Sequence, residues 1–223
     1  MKDLKHYQQL SELFKYPDSG FLEKMDRCEQ LMKEHYSNAA SEFSVFSSYM
    51  KNATIDEREE IYTKTFDVQP ICYLDLGYVI FGEDYKRGAF LLHMQTEQKK
   101  LNNDCGSDLP DNIANVFTLI SKSNDTDFIS ELVSDIIIPA VKKIIAEFES
   151  ARIELKLQVL KKLHKAVIQE NLNQGNVYKN CFNAILLILQ SDFPEQKKSE
   201  DQERNAVLES DHHHSFFKKS TIN

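Results

Sequence analysis

Apolar residues in this chain return every three or four positions, and little interrupts them: six glycines and five prolines punctuate 223 residues. A sheet-rich chain of this length needs many more turn signals. A spacing of three and four is that of helices burying one face. The pattern predicts an all-α fold, a compact single-domain bundle of about nine to eleven helices. Residues 1–193 form the helical domain in this reading, and residues 194–223 a polar, disordered tail.

The helices can be followed along the chain. Leu4, Tyr7, Leu10, Leu13 and Phe14 mark the first, which stops at Tyr16-Pro17 because proline disfavours a helical residue before it. Phe21, Met25, Cys28 and Met32 mark a second, and Phe43, Phe46, Tyr49 and Met50 a shorter third. Thr54-Ile55-Asp56-Glu57 reads as a capping box opening a helix with Ile61, Tyr62, Thr65 and Phe66. Residues 70–82 are apolar nearly all round, as a buried helix or a short strand is; the helical context favours a helix, ended by Gly82. Tyr85, Ala89, Leu92 and Gln95 lie along one side of the helix that follows. Asp108-Leu109-Pro110 reads as a helix start with proline in the first turn. Pro139 should kink or interrupt the helix begun at Phe128. Further helices carry residues 153–168, broken at Asn173-Gln174-Gly175-Asn176, and then Tyr178, Phe182, Ile185 and Leu189.

The formal net charge of -8 disfavours nucleic acid and suits plain solubility as well as a basic partner segment, which charge alone does not separate. The four cysteines are far apart, without a CxxC pair, as isolated thiols in a reducing compartment are. No apolar run approaches the roughly 20 residues that span a bilayer. The chain therefore reads as cytoplasmic, without direct membrane insertion. It carries no phosphate-binding loop, no GxSxG elbow and no paired Glu-x-x-His motifs, so no catalytic residue, no cofactor and no metal site is expected. His6, His35, His93 and His164 stand singly as surface or partly buried residues. The tract His212-His213-His214 offers adventitious divalent-metal affinity at most.

Residues 61–94 hold the most informative stretch. Its pieces are Tyr62-Thr63-Lys64-Thr65-Phe66-Asp67, then Tyr73-Leu74, then Phe81-Gly82-Glu83-Asp84 and Arg87-Gly88-Ala89-Phe90-Leu91-Leu92. Leu10-Ser11-Glu12-Leu13-Phe14-Lys15-Tyr16-Pro17-Asp18 precedes them, and Asp108-Leu109-Pro110-Asp111-Asn112-Ile113 follows. In order and spacing these pieces resemble the nitrate reductase delta-subunit family, the NarJ-type molybdenum cofactor assembly chaperones within the TorD-like group, over roughly residues 4–122. The link Val68-Gln69-Pro70-Ile71-Cys72 departs from the family, which often has basic residues there.

The resemblance implies an all-helical, non-catalytic chaperone. Its partner would be the N-terminal segment of the apo catalytic subunit of a molybdoenzyme such as nitrate reductase, with the molybdenum cofactor insertion machinery as a further partner. Physical reading of the same residues agrees in kind: an apolar groove with acidic edges can receive a partner helix. Tyr62, Phe66, Tyr73, Leu76, Phe81 and Leu91 would supply apolar contact. Asp67, Asp75 and Asp84 would meet basic residues, Arg87 would pair with one of these carboxylates, and Gly82 and Gly88 would permit a tight turn or close approach. Phe66, Leu76 and Phe81 also suit the core. Two other readings remain open from sequence, a helical regulatory adaptor and a metal-binding bundle, both unrelated to molybdoenzymes.

Overall fold

A computed structural model describes residues 3–149 and 177–194. Helices dominate them: α1 (His6–Leu10) runs into a 3-10 turn at Ser11–Phe14, then come α2 (Phe21–His35), α3 (Ser37–Asn52), α4 (Ile55–Phe66), α5 (Leu76–Phe81) and α6 (Lys86–Lys100). After a loop follow α7 (Ile113–Lys122), α8 (Thr126–Leu132), a π-turn at Val133–Ile137, α9 (Ile138–Glu147) and α10 (Val177–Asp192). The expected all-α class is what these residues form; the one β feature among them is an isolated bridge, Asp75 to Asn112. The expected helix at 153–168, the break at 173–176, the tail and the His212–His214 tract lie outside the described residues.

The helix ends follow local chemistry. Thr54 and Glu57 form the expected capping box: Thr54 Oγ1 accepts from Glu57 N–H at 3.3 Å and Glu57 Oε2 accepts from Thr54 N–H at 2.7 Å, satisfying amides the helix leaves open. Asp125 caps α8, accepting from Phe128 N–H at 3.0 Å. Gly82 ends α5 at φ +60, ψ −130, a conformation that a side chain would strain.

α10 is the centre of the bundle. Tyr178, Cys181, Phe182, Ala184, Ile185, Ile188 and Leu189 are fully buried, and the helix lies chiefly against α3 and α9. Phe182 sits 4.9 Å from Phe14 and 6.1 Å from Phe148; Tyr178 sits 4.7 Å from Phe66 and 5.1 Å from Phe46. Each such ring contributes about 1.5–3 kcal/mol by leaving water, so α10 knits the N-terminal helices to α9.

Several elements differ from expectation. α3 is not short: it runs 16 residues, because the serine- and alanine-rich 37–42 stretch continues the helix without an apolar signature. α7 starts at Ile113, not at Pro110. Asn112 accepts from Ala114 N–H at 3.0 Å and so caps it, while the backbone of 111–113 is occupied by the bridge to 74–76. Within 70–82 only Leu76–Phe81 is helical, since Gln69 turns at φ 52 and Pro70 follows. The interruption near Pro139 lies just before it: the π-turn precedes and proline takes the first turn of α9, where a missing N–H does least harm. Finally, α6 buries Phe90, Met94 and Gln98. The side bearing Tyr85, Ala89, Leu92 and Gln95 faces out.

Candidate functional site

The pieces of the informative stretch converge on one strap, residues 67–82, held by the loop 108–113. Leu76 N–H donates to Asp111 O at 3.0 Å and Ile113 N–H to Leu74 O at 2.9 Å. Gly77 N–H donates to Asp111 Oδ2 at 2.9 Å. Asp111 itself is fully buried, so a carboxylate pins the first turn of α5 from inside.

On the outer side, the strap and the end of α9 enclose a cleft of about 470 Å³, walled by Ile71, Cys72, Tyr73, Tyr78, Val79, Lys143, Ile144 and Glu147. Tyr73 and Tyr78 meet edge to face at 4.4 Å, and Arg87 lies 4.9 Å over the Tyr78 ring. The Lys143 ammonium reaches the Val79 and Ile80 carbonyls at 3.4 and 3.3 Å, where the end of α5 is most electronegative. The cleft thus has apolar walls and few polar groups, the usual make-up of a binding groove.

Carboxyls crowd the strap. Asp67 is raised by partial burial and by Asp108. Asp75 is raised by burial and Asp108, against the pull of Arg87. Asp111 is pushed up to about 6 by burial and then Asp75, with the Gly77 amide and Arg87 opposing. Asp111 Oδ1 and Arg87 Nε are buried without a hydrogen-bond partner among the described residues. The Asp111 carboxylate is therefore a cost to the fold. Its folded pKa lies above the unfolded value, so its stabilising contribution is complete below about pH 4 and is lost as pH rises through about 6. Asp111→Asn keeps an acceptor for Gly77 N–H and removes the charge. It is expected to stabilise the protein by about 1–2 kcal/mol at pH 7.5, after about 1 kcal/mol is subtracted for its new amide donors. The gain should vanish near pH 4, which thermal melts at the two pH values would show.

The proposed contact residues divide by burial. Tyr62, Phe66 and Leu76 lie in the core and offer no surface to a partner. Tyr62 spends its hydroxyl on Phe14 O at 3.0 Å, and Leu76 is closed in by α5's packing on its neighbours. Tyr73 is exposed, Phe81 is half-buried against Phe90 at 5.6 Å, and Leu91 is half-buried. Asp67 ends α4, Asp75 starts α5, and exposed Asp84 accepts from Lys86 N–H at 2.8 Å. Arg87 is half-buried over Tyr78 and acts on Asp75 and Asp111. Gly82 makes the tight turn. Gly88 meets nothing within 4 Å; the close approach is at Gly77 instead.

Sequence reasoning singled out neither Gly77 nor the special place of Asp111. It also missed a buried cluster elsewhere: His6 Nε2 lies 2.8 Å from Asp192 Oδ2 and the Tyr36 hydroxyl donates to Asp192 Oδ1 at 2.9 Å. No group of three or more His, Cys, Asp or Glu side chains among the described residues could hold a metal ion. No helix among them is long and apolar enough to cross a membrane. The chain matches no family model, no curated protein and no solved structure.

Proposed function

We propose that this chain is a cytoplasmic, non-catalytic assembly chaperone for a molybdenum-containing oxidoreductase of the nitrate reductase kind. It would hold the N-terminal segment of the apo catalytic subunit in the strap cleft until the molybdenum cofactor is inserted and the complex assembled. The observation that carries this reading is convergence: residues 62–67 lead into the strap, residues 73–84 make up most of it, and residues 108–113, distant in the chain, hold it, and all three bear the resemblance to NarJ-type chaperones. Beside that strap lies an apolar cleft with exposed Tyr73 at its mouth. Asp108 lies close enough to Asp67 and to Asp75 to raise both, on top of their burial. Such a row gains by meeting a cationic segment, which would relieve that repulsion.

Calorimetric titration with a peptide covering the N-terminal segment of the catalytic subunit tests the proposal. Saturable binding is expected, weakened about tenfold by Tyr73→Ala, since a partly exposed aromatic anchor is worth about 1–2 kcal/mol. Asp67→Asn, a change at an exposed position, should weaken it less and reduce its dependence on salt. No binding to the peptide or to the full apo catalytic subunit would overturn this function.

A further inference from the structure

Helix α6 is apolar on two opposite sides. Phe90 and Met94 face the core. On the other side Tyr85 is 83% and Leu92 66% exposed, with Gly88, Ala89, Gln95, Thr96 and Lys99 also exposed. At 100° per residue all of these fall within roughly 60° of a line through Leu92. Tyr85, Ala89, Leu92, Thr96 and Lys99 follow one another at spacings of four and three, the seam of a helix pair. The residues flanking Leu92 are small. The Thr96 hydroxyl already donates to Leu92 O at 2.9 Å, so burying it strands no donor.

Charge decides the occupant. The seam begins beside Glu83 and Asp84 and ends at Lys99 and Lys100, all exposed; Lys100 also pairs with Glu97 on its own helix at 2.6 Å, and exposed Lys86 lies about 120° off the seam line. We propose that this face binds a second copy of the chain, α6 packing antiparallel on α6 about a two-fold axis at Leu92. An isologous contact needs a self-complementary patch, and this one is: reversed on itself, the seam sets the acidic end of one copy against the lysines of the other. Parallel pairing would set like charge on like. The core side of α6 stays where it is, so association requires no refolding, and the strap cleft lies outside the seam. The inference is independent of the function proposed above. A single pair of helices about 22 Å long buries less than a standard interface of roughly 1,600 Å², so the dimer should be a weak one, dissociating at micromolar concentrations.

Sedimentation equilibrium of the full chain over a wide concentration range tests this. A reversible monomer–dimer equilibrium is expected. Leu92→Glu, a change at an exposed position, should raise its dissociation constant at least about thirtyfold with the melting temperature unchanged, because each copy loses an apolar contact and two carboxylates meet at the axis. Glu83→Lys and Lys99→Glu should each weaken self-association, while an equimolar mixture of the two recovers it. A chain that stays monomeric at hundreds of micromolar, or a dimer indifferent to Leu92→Glu, would overturn the proposal. So would charge variants that associate as well as the parent, since they would place the contact elsewhere or make it parallel.

Discussion

Gly77→Ala is expected to lower the melting temperature by about 10–15 °C, for a loss of about 3–5 kcal/mol. A Cβ at this position would stand 2.6 Å from Asp111 Oδ2 and 2.7 Å from Phe90 Cδ1. Neither neighbour is a flexible surface group: both side chains are fully buried. The first turn of α5 would have to lift. The Gly77–Asp111 hydrogen bond of 2.9 Å would lengthen or break, and a buried carboxylate would lose the one amide that lowers its pKa by hydrogen bonding from another residue. Overpacking costs about 1–3 kcal/mol, and a stranded buried acceptor about as much again. The paired control is Gly88→Ala, at an exposed helix position with open space around it, expected to gain up to about 1 kcal/mol from helix propensity. Melting curves at low protein concentration would separate the two. Equal small effects would mean that α5 is not pinned by Asp111.

The contrast shows which parts of this molecule its sequence displays. Helix class was legible because burial of one face imposes a period, and Phe43, Phe46 and Met50 or Ile113, Val116, Phe117 and Ile120 carry that period openly. Thr54 and Glu57 were legible because a capping box is local. What lay beyond reach depended on contacts between distant residues. Nothing near Gly77 in the chain announces that Asp111, 34 positions on, closes on it. The side of α6 with Tyr85, Ala89 and Leu92 is as regular as a core stripe, and periodicity does not say which of two apolar faces the bundle covers. Of the proposed site, Tyr73 lines the cleft, while Asp67 and Asp75 stand at the ends of α4 and α5. Tyr62, Phe66 and Leu76 fall inside, because aromatic and leucine side chains at helical spacing pack the core first.

Asp192→Ala is expected to cost about 3–4 kcal/mol, a drop of about 8–12 °C in melting temperature for a chain of this size. The Asp192 side chain has no exposed surface and the His6 side chain only 11%. Asp192 joins the last turn of α10 to α1 through His6, 186 positions away, and to the end of α2 through Tyr36. Burial and the carboxylate together raise the Tyr36 hydroxyl, so this phenol stays a donor throughout the working range. Removing the acceptor takes the carboxylate from both partners at once and leaves them only their own 3.3 Å contact between the Tyr36 hydroxyl and His6 Nε2, and a buried polar group left unsatisfied costs about 1–3 kcal/mol. Tyr36→Phe removes one donor and leaves the carboxylate with His6, so it should cost only about 1 kcal/mol. If the cluster acts as a unit, the double variant will be little worse than Asp192→Ala alone, because both changes break the same bond. Full additivity of the two would mean that Tyr36 and Asp192 act separately. A melting temperature for Asp192→Ala close to that of the parent would mean that packing around Phe182 and Tyr178, rather than this polar clasp, fixes where α10 ends.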